Sequence, residues 1–128
     1  MKLFYYLFLP LLLTLSSCGN DDDLVPPCAL SRWAGTYTGS ADCNGVNEDV
    51  TVTITTSGED VITINYATRS RTSNSGQLIP IDCEVNYFSS TGSVTTIWEA
   101  ELDGDEVSIT ERVTGVGGEF VCSITASR

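Results

Sequence analysis

Four cysteines, Cys28, Cys43, Cys83 and Cys122, and one carboxylate, Glu111, are the residues of this chain whose type and position could do chemistry. An even number of cysteines in a small exported domain reads as two disulfides. Metal binding is the other use of thiols. The chain has no C-x-x-C pair and no histidine, so it lacks a zinc ligand set. Glu111 shares its alternation parity with Val107, Ile109 and Val113, which turns its side chain inward. A carboxylate in that position must be paired, hydrogen-bonded or neutralised. It could meet the polar group of a ligand among Tyr37, Tyr66, Trp98 and Thr96, or it could sit at a wet rim or pair with an arginine. Catalysis lacks its usual parts: there is no histidine, no nucleophile-elbow serine and no Gly-rich phosphate loop. The 17 acids single out no carboxylate pair of the glycosidase kind. No enzyme, cofactor or metal is expected.

Two loop clusters complete the candidates. Asp42, Asn44, Asn47, Glu48 and Asp49 surround one turn with oxygen atoms of the kind hard cations prefer. Their spacing fits no calcium loop and reads as a polar turn. Arg69 and Arg71 stand together in a Ser/Asn-rich stretch, as a solvated loop tip or as the receiver of an acidic group.

The elements that must position these residues are strands. Val50, Val52 and Ile54 alternate with threonines; Ile62, Ile64 and Tyr66 follow on one face. The same period carries Trp33, Gly35, Tyr37 and Gly39, then Ile79, Ile81, Cys83, Val85 and Tyr87. It continues through Val94, Trp98, Ala100 and Leu102, through Val107 and Ile109, and through Phe120, Cys122, Ile124 and Ala126. Pro80 marks an edge or a bulge near the start of its run. Turn residues separate the runs at Asn44-Gly45, Ser57-Gly58, Ser75-Gly76, Thr91-Gly92, Asp103-Gly104 and Gly115 to Gly118. An eighth strand is expected within Arg69 to Gln77 or split from Leu78 to Phe88. The pattern predicts an all-β fold, a small antiparallel up-and-down barrel of about 7–8 strands, since closure removes sheet edges. A β-sandwich is the alternative.

In such a barrel the first and last strands are neighbours. Cys43 and Cys122 then lie side by side, leaving Cys28 to bond Cys83. Four cysteines allow three pairings, and this one is the expectation.

Upstream of the domain, Lys2 precedes an apolar run from Leu3 to Leu13 that is too short to span a bilayer comfortably. The run ends in Leu15-Ser16-Ser17-Cys18. These four residues resemble the lipobox of bacterial lipoproteins. The resemblance implies a signal peptide at residues 1–17, acylation of the Cys18 sulfur with palmitate-type chains, and cleavage before it. Residues 18–27 then form a tether, whose nine residues after Cys18 reach about 30 Å when extended, and residues 28–128 the barrel domain. Asp21-Asp22-Asp23 is similar to the surface-export signal of Bacteroidota lipoproteins. Gly19, not Asp, follows the cysteine, which lacks the inner-membrane retention cue. The implied address is the outer membrane, facing outward. Losing the leader removes Lys2 and no acid, moving the formal charge from −11 to −12. Nucleic acid and anionic headgroups are poor partners for that surface.

Trp33-Ala34-Gly35-Thr36-Tyr37-Thr38-Gly39 looks like the first strand of small lipocalin-like (calycin-like) bacterial lipoproteins. This implies a binding role. One form is capture of a small apolar or amphiphilic ligand by Glu111, Tyr37, Tyr66 and Trp98. The other is a protein-interaction module with a filled core, such as an envelope inhibitor or a subunit of a surface complex.

Overall fold

The structure is a computed structural model that describes residues 26–128. The leader, Cys18 and the tether up to Val25 lie outside the described residues. Alternation yields eight strands: β1 (Gly35–Cys43), β2 (Val46–Ser57), β3 (Val61–Thr68), β4 (Thr72–Leu78), β5 (Glu84–Thr91), β6 (Val94–Asp103), β7 (Glu106–Gly115) and β8 (Gly118–Ser127). They form one antiparallel sheet in the order β4-β3-β2-β1-β8-β7-β6-β5, curled into a nearly closed barrel. β4 is the eighth strand expected in the Ser/Asn-rich stretch.

The first and last strands pair from Thr38↔Ser127 to Cys43↔Cys122. That register sets Cys43 beside Cys122, and the two are disulfide-bonded. The second bond joins Cys28, ahead of the barrel, to Cys83 in the β4–β5 connection. Gly39 lies opposite Ala126, and a side chain there would overlap the Thr125 carbonyl oxygen and come within 2.6 Å of Ala126 Cα. Only glycine lets β8 approach β1 this closely. At the turn into β2, Asn44 and Gly45 both take positive φ, 53° and 83°, as a two-residue hairpin requires.

The inward parities of β2 and β3 hold: Val50, Val52, Ile54, Ile62, Ile64 and Tyr66 are buried. Three features depart from the alternation reading. Trp33 is not a strand residue; it closes a four-residue helix, α1 (Leu30–Trp33), and its ring is buried in the core. The run Leu78 to Phe88 is broken between Leu78 and Glu84, where Pro80 cannot donate to a ladder and Asp82 takes φ 57°. Ile79 and Ile81 therefore sit outside, 61% and 76% exposed. Tyr87 has the inward parity of buried Val85 yet is 38% exposed, because β5 has no strand on its other side. Val94 is likewise exposed at the start of β6.

Arg128 fastens α1 to the barrel. Its guanidinium donates to the carbonyl oxygens of Ala34 (3.0 Å) and Arg32 (2.8 Å) and pairs with Asp105 at 3.2 Å. These acceptors are C-terminal helix carbonyls, which cations satisfy well.

Candidate functional site

Glu111 stands on β7, opposite Trp98 of β6 and Cys122 of β8. Its parity turns it into the barrel, where it is 4% exposed and the one charged residue in the core among the described residues. Three donors of the chain hold it. The Tyr66 hydroxyl on β3 donates to Oε2. Ser73 Oγ on β4 donates to Oε1 at 2.9 Å, and Arg71 Nη2 reaches the same oxygen at 3.5 Å. Arg71 Nε also donates to the Tyr66 oxygen at 3.3 Å, and its guanidinium lies 3.9 Å over the Phe120 ring. Burial, then the hydrogen bond and charge of Glu111, push the Tyr66 hydroxyl up to about 12, with Arg71 opposing. Tyr66 is thus held as a neutral donor beneath a carboxylate acceptor.

This cluster links β7 to β3 and β4 across the interior. β4 and β5 are the two ends of the sheet, so the link bridges from the inside a barrel whose outer seam has no ladder. Of the four predicted ligand residues, the structure brings three together. Glu111 bonds Tyr66, and the Tyr66 ring lies 6.0 Å from Trp98. Tyr37 stands apart, at the α1 end. Its hydroxyl donates to the carbonyl oxygens of Trp33 (2.9 Å) and Arg32 (3.1 Å), and burial raises its pKa against the nearby Arg128 charge. Sequence reasoning missed Ser73, Phe120 and Arg128. Arg71 carried a signal, as half of the cation pair in the Ser/Asn-rich loop, and Glu111 is the acidic group it receives.

The interior is packed with the chain's own side chains. Trp33, Tyr37, Tyr66 and Trp98 are each at most 2% exposed, with Ile54, Ile62, Ile64, Leu78, Ile109 and Ile124 around them. Concave surface lies instead on the outer wall. One groove of about 280 Å³ runs over β5, β6 and β7, lined by Glu84, Asn86, Glu99, Glu101, Ser108 and Thr110. Glu84 is paired directly with Glu101, and Asn86 with Glu99. Such opposed like charges repel, and none of the three carboxylates has an ion-pair partner among the described residues.

At the polar turn, Asp42 accepts from the Gly45 amide at 2.8 Å, and Asn44 accepts from Val121 at 2.9 Å. Glu48 takes a hydrogen bond from Ser70, which lowers its pKa. Asp42, Asn44 and Glu48 thus bond to the chain itself, and no group of three or more His, Cys, Asp or Glu gathers as a metal site among the described residues. Comparison with protein-family models, curated proteins and solved structures found no match to this chain.

Proposed function

We propose that this chain is an envelope-displayed, lipid-anchored binding module that engages another protein through the outer wall of its barrel. The packed interior carries the reading: four large aromatic side chains fill it, and its one carboxylate is held by Tyr66, Ser73 and Arg71. Capture of a small apolar ligand inside would require Tyr66 and Trp98 to leave these contacts, with the loss of a buried, satisfied polar network. Two disulfides suit a domain that folds in an oxidising compartment. The leader ending at Cys18 supplies an address consistent with that compartment. Attachment through acyl chains at Cys18 would place the barrel on the outer membrane, facing outward. The described chain begins at Pro26 close to α1. A tether would therefore join the barrel at its α1 end and leave its side walls free.

Titration with a fluorescent fatty-acid analogue tests the interior. The account expects no saturable binding and no change in Trp98 emission. One-to-one binding that weakens in Glu111→Gln would contradict it and restore the ligand-carrying reading.

A further inference from the structure

The two free edges of the sheet are not alike. β4 is seven residues long and polar until Leu78, and its register with β3 slips between Thr63 and Asn65. There the Ile64 amide donates to the Ser75 side chain at 2.9 Å, and Gly76 takes φ 70°. A bulge and a left-handed glycine are devices that keep an edge from pairing. β5 has neither, and only its first residue is covered: Ile81 and Glu84 exchange both backbone hydrogen bonds, at 2.8 and 3.1 Å. Its eight residues pair with β6 in unbroken register, and it contains no proline and no lysine. From Val85 to Thr91 its other side meets no strand. Near its middle it exposes an aromatic on each face: Tyr87 on the inner face and Phe88, 67% exposed, on the outer. A long, regular edge with exposed aromatics is a template for an added strand.

The outer face of the same hairpin says what kind of strand would fit. Glu84, Glu99 and Glu101 lie along it, with Glu84 directly across from Glu101. No Lys or Arg occurs in β5 or β6. A strand added antiparallel to β5 would run its outward side chains beside Phe88 and then Asn86, ending where Ile81 already pairs with Glu84. A basic residue beside Asn86, the last open position before Glu84, would reach toward the opposed carboxylates, and an apolar residue would cover Phe88. Its inward side chain opposite Tyr87 would close the seam from within.

We infer that the β5 edge is the docking site for an extended segment of a partner protein, apolar opposite Tyr87 and Phe88 and basic at the Glu84 end. This rests on the outer-wall reading above and names the chemistry of the partner. Two other occupants fit less well. The chain's own residues 18–25 carry Asp21, Asp22 and Asp23, which would add acids to acids. A second copy would offer its own β5, which holds no cation.

The test uses residues 26–128, which contain the whole core and both disulfides. Two capped peptides serve as probes: Thr-Thr-Val-Val-Val-Lys, which spans Thr91 back to Asn86, and the same peptide with Glu in place of Lys. Each is titrated into the isotope-labelled domain while backbone amide resonances are followed. The Lys peptide is expected to shift β5 amides saturably, and the Glu peptide to bind about fivefold more weakly, given one favourable charge contact exchanged for a repulsive one. Raising ionic strength should narrow the difference. The double variant Glu84→Lys, Glu101→Lys, which changes only exposed side chains, should reverse the preference. Phe88→Ser should weaken the Lys peptide. Equal affinity for both peptides, shifts away from β5, or no binding would overturn the inference. So would concentration-dependent dimers that Asn86→Pro abolishes, since a second copy would then own the edge. A fatty-acid analogue bound inside would instead overturn the outer-wall reading itself, so the two failures are distinguishable.

Discussion

Replacing Glu111 with Gln removes the only charge inside the described barrel while keeping nearly the same volume. The cost follows from its partners. Tyr66 and Ser73 donate to the carboxylate from buried or half-buried positions, and a hydrogen bond to a charged group contributes about 1.5–3 kcal/mol against about 0.5–1.5 for a neutral one. The Arg71 contact is long, and its side chain is 36% exposed, so it adds at most about 1 kcal/mol. The expected loss is about 2 kcal/mol. At roughly 4–8 °C per kcal/mol for a domain of about 100 residues, the melting temperature should fall by about 8–16 °C. Glu111→Leu should cost more, about 3–5 kcal/mol, because it leaves three donors facing an apolar side chain. Urea unfolding followed by tryptophan fluorescence, with disulfides intact, measures both. A cycle with Tyr66→Phe should give a coupling of about 1–2 kcal/mol. Additivity within about 0.3–0.5 kcal/mol would refute the idea that these two groups act as one unit.

The same pair has a signature at high pH. Tyr66 has a folded pKa of about 12 against an ordinary value of 10, so the folded state favours the protonated hydroxyl. Its contribution, about 2–3 kcal/mol at about 1.4 per unit, is complete below pH 10 and is lost as pH rises from 10 through 12. Stability measured across that window should decline in the native chain, and over a narrower range in Glu111→Gln. Replacing Cys43 and Cys122 together by Ala should cost about 2–5 kcal/mol in chemical denaturation, since that bond closes a long loop. Gly39→Ala should prevent or severely weaken folding, read by amide dispersion, because the added carbon overlaps the β8 backbone at Thr125 and Ala126. Cys18→Ala should abolish incorporation of labelled palmitate and release the chain from the membrane fraction; retained label would remove the anchor from the account.

Alternation made most of the barrel legible, because in a half-buried strand the period-two pattern and the inward face are the same fact. Val50, Val52 and Ile54 on β2 and Ile62, Ile64 and Tyr66 on β3 needed nothing else. The pattern could not show whether a neighbouring strand is present. Tyr87 has the right parity and is exposed, for want of a neighbour. Ile79 and Ile81 keep the period across a segment that is not strand at all, and Pro80 was the only warning. α1 is too short for helical periodicity, so Trp33 read as strand. At the interior cluster, parity turned Glu111 inward, but which residues meet it depends on the curl of the sheet. Arg71 and Ser73 lie some forty positions away, on the far end of the strand order, and become neighbours only when the barrel nearly closes. Arg128 depends on α1 in the same way, since its acceptors are carbonyls of a helix that alternation did not reveal.

Native mass spectrometry of residues 26–128 made in an oxidising periplasm tests the central claim, a barrel filled by its own side chains that works from outside. The account predicts a bare chain mass, four hydrogens below the reduced value for its two disulfides. Unreduced digestion should give peptides joined as Cys28–Cys83 and Cys43–Cys122. A second mass that travels with the folded chain and leaves under mild activation would contradict it, and would make the interior the site of function.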